Sequence, residues 1–132
     1  MKRKLYPNES VTIQVEARDI YGGNIELSVQ QGEEYSFNVA EGACWKDSWI
    51  STNADGFVNP LLLFSGKRFA GARCFTLCGT INKDEFNHFK IGNSLQRYKI
   101  PVNGLLYFFP NDSICHYENN SGRIDIKVTR LL

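Results

Sequence analysis

Apolar and polar residues alternate with a period of two through most of this chain. "VTIQVEA" sets Val11, Ile13, Val15 and Ala17 on one face, and "NIELSVQ" repeats the pattern with Ile25, Leu27 and Val29. "EYSFNVA" continues it with Tyr35, Phe37 and Val39, and "RIDIKV" alternates Ile124, Ile126 and Val128 with Arg123, Asp125 and Lys127. A period of two sends one set of side chains into a core and the other into water, as in half-buried strands of antiparallel sheets. "DIYGGN" and "QQGEE" read as hairpin turns between these strands. "FNHFKIG", "RYKIPV" and "GLLYFFP", each bounded by Gly, Asn or Pro, and the apolar run "PLLLF" add further strands. No segment carries an amphipathic helical period. "CWKDSWISTNADGFVNP" (residues 44–60) is long, polar and interrupted by Gly56 and Pro60, and reads as an ordered surface loop of a length that tends to be functional. About eight short strands with turns between them predict an all-β fold, a jelly-roll β-sandwich of two antiparallel sheets. With no repeat, low-complexity tract or composition shift, residues 1–132 are expected to form a single domain.

Composition narrows the function classes. The chain has 132 residues, 42% hydrophobic and 22% charged, with a net charge of +1. That balance gives no electrostatic footing for nucleic acid or an anionic membrane. The basic start Lys2-Arg3-Lys4 leads into "LYPNES", without the apolar run of a signal peptide or the roughly 20 apolar residues of a membrane span. The four cysteines, Cys44, Cys74, Cys78 and Cys115, are too sparse for a disulfide scaffold. On a strand, Cys74 and Cys78 would lie roughly 13 Å apart on one face, so a disulfide between them would need a bend. With only His88 and His116 to help, zinc is not expected.

The densest chemistry lies in "NDSICHYENNSG" (residues 111–122), where Asn111, Asp112, Ser113, Glu118, Asn119, Asn120 and Ser121 all carry side-chain oxygens between two apolar, strand-like segments. One reading is a solvated turn stabilised by Asx hydrogen bonds. Another is glycosylation, since Asn8, Asn111 and Asn119 each begin an N-x-S triplet. A third is a cage for calcium, which takes about 6–8 oxygens at roughly 2.3–2.6 Å. Asp112, Asn119 and Asn120 would supply three side-chain ligands, a carbonyl near His116 a fourth, and a facing loop a fifth. Magnesium suits the neutral amide oxygens less well. The EF-hand pattern is absent.

"CGTI" (residues 78–81), "FKIGNS", "PVNG", "YFFPND" and "ENNSGRIDIKV" occur in that order at family-like spacing, and "QVEA…GG…GEEYSFNVAEGA" fits before them. Together they resemble the PA-IL-like bacterial lectins, calcium-dependent galactose-binding proteins. The resemblance implies a galactose-binding-domain-like jelly roll that binds glycans, galactose-type terminal sugars among them, through two hydroxyls on a bound calcium ion. Asp112, Asn119 and Asn120 match the family's side-chain ligands, and His116 stands where a backbone carbonyl completes the set. The facing-loop carbonyl falls on Trp45 or Lys46, with Trp45 favoured because its ring could also pack on a sugar. The implied sugar-binding set is Trp45, Asp112, Ser113, His116, Asn119 and Asn120; an exposed Trp45 or Trp49 would also suit the apolar C–H face of a sugar, the alternative being that these rings pack in the core or loop. The resemblance further implies a homo-oligomer and is compatible with a bacterial extracellular or cell-surface setting.

Some residues depart from the family's pattern. The stretch "FSGKRFAGARC" lacks the His and Gln with which that family contacts the sugar beyond the metal. Lys67 and Arg68 lie near that place and read as a solvated basic turn. Glu118 replaces a small residue. If the fold holds, Cys44 and Cys115 approach each other, and a disulfide between them is conceivable. Catalysis is not expected: Cys115 and His116, being adjacent, would point to opposite faces of a strand, and no G-x-S-x-G or phosphate loop is present. The alternative to a lectin is a β-sandwich interaction or accessory module with a degenerate metal site.

Overall fold

The computed structural model describes residues 2–57, 68–112 and 117–132. Two sheets face each other across one main core. The first runs β1 (Lys2–Arg3), β3 (Gly22–Val29), β10 (Gly104–Pro110), β7 (Leu77–Ile81) and β8 (His88–Lys90). The second runs β6 (Ile50–Thr52), β5 (Trp45–Asp47), β11 (Asn120–Arg130), β4 (Glu34–Val39) and β9 (Ser94–Lys99), with β2 (Ser10–Glu16) also paired to β11. All pairings are antiparallel except that of the two-residue β1 with β3. The expected β-sandwich of antiparallel sheets is what forms. Among the described residues no helix is long and apolar enough to cross a membrane.

The alternating residues do what their period requires. Val11, Ile13 and Val15 of β2 and Ile124, Ile126 and Val128 of β11 are buried, together with Tyr35 and Phe37 of β4. They share one core with Leu27, Leu77, Ile81, Leu106 and Phe108 of the other sheet. Across the layers, the Phe37 ring centroid lies 6.2 Å from that of Phe108.

Three expectations are corrected. "DIYGGN" and "QQGEE" are not hairpin turns: β2 and β4 belong to one sheet and β3 to the other, so both links carry the chain between layers. Gly22 suits the first crossing, because a Cβ there would sit 3.2 Å from both Phe108 O and Val15 Cγ1. Residues 44–60 are not simply a loop, since β5 and β6 form a short hairpin within them. "PLLLF" lies outside the described residues.

The first sheet also has a covered outer face. Ala72, Cys78, Phe109 and Tyr117 form a second buried cluster, with Ile20 and Phe69 against it. Arg68 does not form a solvated turn. Its guanidinium lies 3.8 Å from the Phe109 ring centroid, 4.6 Å from that of Tyr21 and 5.5 Å from that of Tyr117, and it donates to Ile20 O. A planar, weakly hydrated cation is well suited to such aromatic surroundings. Lys67 lies outside the described residues.

Candidate functional site

The segment between β10 and β11 is pinned at both ends. Asn111 is fully buried; its Oδ1 accepts from Phe69 N–H at 2.8 Å, and its Nδ2 donates to the carbonyls of Phe69, Ala72 and Arg73 at 2.7, 3.1 and 3.1 Å. This residue latches residues 69–73 to the end of β10, and in the fold it is inaccessible to glycosylation. Tyr117, also buried, donates its hydroxyl to Pro110 O and accepts from Arg68 Nη1 at 2.9 Å and from the Asp112 N–H. Burial pushes its phenol up to about 12, so it stays a neutral donor. The hydroxyl thus ties the start of the loop, at Pro110 and Asp112, to its end.

Asp112 is half-buried beside the Asn111 latch. A single 3₁₀ turn, Tyr117–Asn119, then delivers Asn119 and Asn120 to the start of β11. Asn119 is exposed, and its carbonyl accepts from Ser48 N–H at 3.0 Å, so the tip of the β5–β6 hairpin is tied to it. Asn120 is only 2% exposed. Its Nδ2 donates to Ala17 O at 3.0 Å, while its Oδ1 is buried and has no donor among the described residues. Leaving a buried amide oxygen without a partner costs roughly 1–3 kcal/mol. A cation at that oxygen would remove the penalty, so the donor set suits an oxygen-seeking ion. Among the described residues no group of three or more His, Cys, Asp or Glu side chains gathers for a metal. A cage built from one carboxylate, amides and carbonyls is a different donor set. Ser113, Cys115 and His116 lie outside the described residues.

The facing segment is β5, paired with β11 so that Trp45 lies opposite Gly122, Lys46 opposite Ser121 and Asp47 opposite Asn120. Gly122, at φ +92°, admits this close approach: a Cβ there would come within 3.0 Å of Trp45 Cα. The Trp45 ring cannot serve as a sugar platform, because it is 1% exposed and stands edge-on to Phe75 with centroids 5.5 Å apart. Position 45 turns into the core, so its side chain fills the sandwich. Trp49, in the hairpin turn, is 84% exposed. Glu118 is exposed on the 3₁₀ turn. Cys44, Cys74 and Cys78 are free thiols, so Cys74 and Cys78 are not joined, and the Cys44–Cys115 pairing falls on a residue outside the described ones. A cleft of about 430 Å³ lies between residues 39–44, Asn53 and Asn93, apart from Asp112, Asn119 and Asn120.

Sequence reasoning missed Asn111 as a latch and Asp47 as the residue across from Asn120. The first carries no signal that separates it from its oxygen-bearing neighbours, and the second depends on strand register.

No family model matches the sequence, and no curated protein matches it. Among solved structures, the chain is similar to the N-terminal domain of EclA, described as a PllA-like lectin. The match covers 92% of this chain and 94% of that one, with a TM-score of 0.65 and 19% identity. The two share a fold. At that identity the likeness concerns architecture, and the chemistry has to be argued from the residues.

Proposed function

We propose that this chain is a carbohydrate-binding lectin without catalytic activity, which recognises galactose-type terminal sugars through a bound calcium ion. The observation that carries the reading is the Asn120 side chain, whose amide nitrogen is anchored and whose buried oxygen has no donor among the described residues. Asp112 and Asn119 flank it on the same tied segment, and the His116 carbonyl follows from the sequence resemblance. The likeness in fold to a PllA-like lectin domain points the same way.

A calcium ion held by Asp112, Asn119 and Asn120 would offer its open positions to two vicinal sugar hydroxyls in place of water. The protein's own contribution is to hold the amides and the carboxylate rigidly at the ends of β10 and β11 and to accept hydrogen bonds from those hydroxyls. Trp49 offers an exposed aromatic face for the apolar C–H surface of the sugar ring. A glycan surface would be gripped by several weak sites in a homo-oligomer through avidity.

The test is thermal unfolding of the wild type and Asp112→Ala in calcium and in chelator. Calcium at about 100 times its Kd should stabilise the wild type by roughly 2.7 kcal/mol. Asp112→Ala should lose that shift while melting normally in chelator. A wild type indifferent to calcium would contradict the proposal.

A further inference from the structure

We propose that Asp47 is a second carboxylate of the cation site, supplied by the facing strand; the proposal rests on the lectin reading above and deepens it. Register is the first argument. Asp47 is the direct antiparallel partner of Asn120, whereas Trp45 and Lys46 lie opposite Gly122 and Ser121. Directly opposed residues project to the same face with Cβ atoms about 4.5–5.5 Å apart. That spacing suits two oxygens that share one ion at roughly 2.3–2.6 Å each.

The second argument is the buried Asn120 oxygen itself. β11 has β2 on one flank and β5 on the other: Ala17, at the end of β2, donates to Gly122 O, while Asp47 pairs with Asn120 across the opposite edge. Asn120 Nδ2 is held by Ala17 O on the β2 side, which leaves Oδ1 as the side chain's open acceptor among the described residues. That buried acceptor and the half-buried Asp47, as directly opposed residues, share one face of the β5–β11 pair.

Charge is the third argument. Asn119 and Asn120 offer neutral oxygens, so Asp112 alone would leave a divalent ion with an excess positive charge. Asp112 and Asp47 together match it, and charged ligands are what raise calcium affinity at a given geometry. The site then draws its ligands from both partners of the β5–β11 pair, so ion binding would clamp the hairpin that carries Trp49.

Calcium titration calorimetry on the wild type, Asp47→Asn and Asp112→Ala, with each variant's melting temperature in chelator as the check on folding, decides the matter. The expected result is wild-type uptake of one ion, at least tenfold weaker affinity in Asp47→Asn, and a chelator melt of that variant within two degrees of the wild type. Wild-type affinity in Asp47→Asn, with Asp112→Ala silent, would overturn the role of Asp47 and leave the lectin reading standing. No calcium uptake by the wild type would overturn both. Should Asp47→Asn melt early, Asp47→Glu serves as the second variant: it keeps the charge and should recover affinity to within threefold of the wild type. Failure to do so in a protein that melts normally would overturn the proposal.

Discussion

Asn111 uses both polar atoms of its side chain within the protein, whereas among the described residues Asn120 uses one of its two. That difference separates a structural latch from the proposed ligand in a stretch where composition makes them look alike. Asn111→Ala would strand the Phe69 N–H and the Ala72 carbonyl, while the Phe69 and Arg73 carbonyls keep backbone donors in Ala72 and Thr76. Since each buried group left unpaired costs roughly 1–3 kcal/mol, urea unfolding should show a loss of about 2–3 kcal/mol. A loss below about 0.5 kcal/mol would mean the latch is not needed. His88 gives a pH-dependent prediction. Its Nδ1 lies 2.9 Å from Thr80 Oγ1 and its ring centroid 4.9 Å from that of Phe109. Burial first, and then the Arg68 charge, hold its pKa below the usual value, against weaker opposing effects from Glu85 and Asp84. The fold therefore favours neutral imidazole. Its contribution to stability is complete above the unfolded value near 6.5 and is lost as pH falls below it. The melting temperature should drop between pH 7 and pH 5, and less steeply in His88→Gln. Equal slopes would contradict the assignment.

At the scale of elements, strands with one wet face were legible in the sequence because their two faces differ. β2, β4 and β11 follow their alternation closely. β7 gave no such pattern, since all five of its residues are buried and Cys78, Gly79 and Thr80 interrupt the apolar run. Pairing was not legible either. Alternation shows which face of a strand is dry but not which strand lies beside it, so two crossings between layers read as hairpins. The glycine pair that encouraged that reading serves close approach instead. Adding a methyl at Gly22 should force Phe108 and Val15 apart, and overpacking of this kind costs roughly 1–3 kcal/mol. Gly22→Ala should accordingly unfold at lower denaturant with an unchanged m-value, and an unshifted midpoint would show that the layers can yield there. The site follows the same logic. Its oxygen-rich loop could be read from the residues in order, while Asp47 came into view only when β5 was set in register against β11.

For the whole molecule, the sandwich acts as a rigid frame that brings two distant pieces of chain to one place. The 3₁₀ turn presents Asn119 and Asn120, and the β5–β6 hairpin brings Asp47 and the exposed Trp49 alongside. The Ser48 N–H bond to Asn119 O couples the hairpin to the turn, so a change at either should be felt at the other. The account stands or falls on whether sugar binding requires the ion. The most direct measurement is calorimetric titration of the wild-type protein with methyl β-galactoside, first in calcium and then in excess chelator. The account predicts saturable heat in calcium and none once the ion is removed, with heat restored on adding calcium back. Undiminished binding in chelator, or no binding of this or any arrayed glycan in calcium, would contradict it.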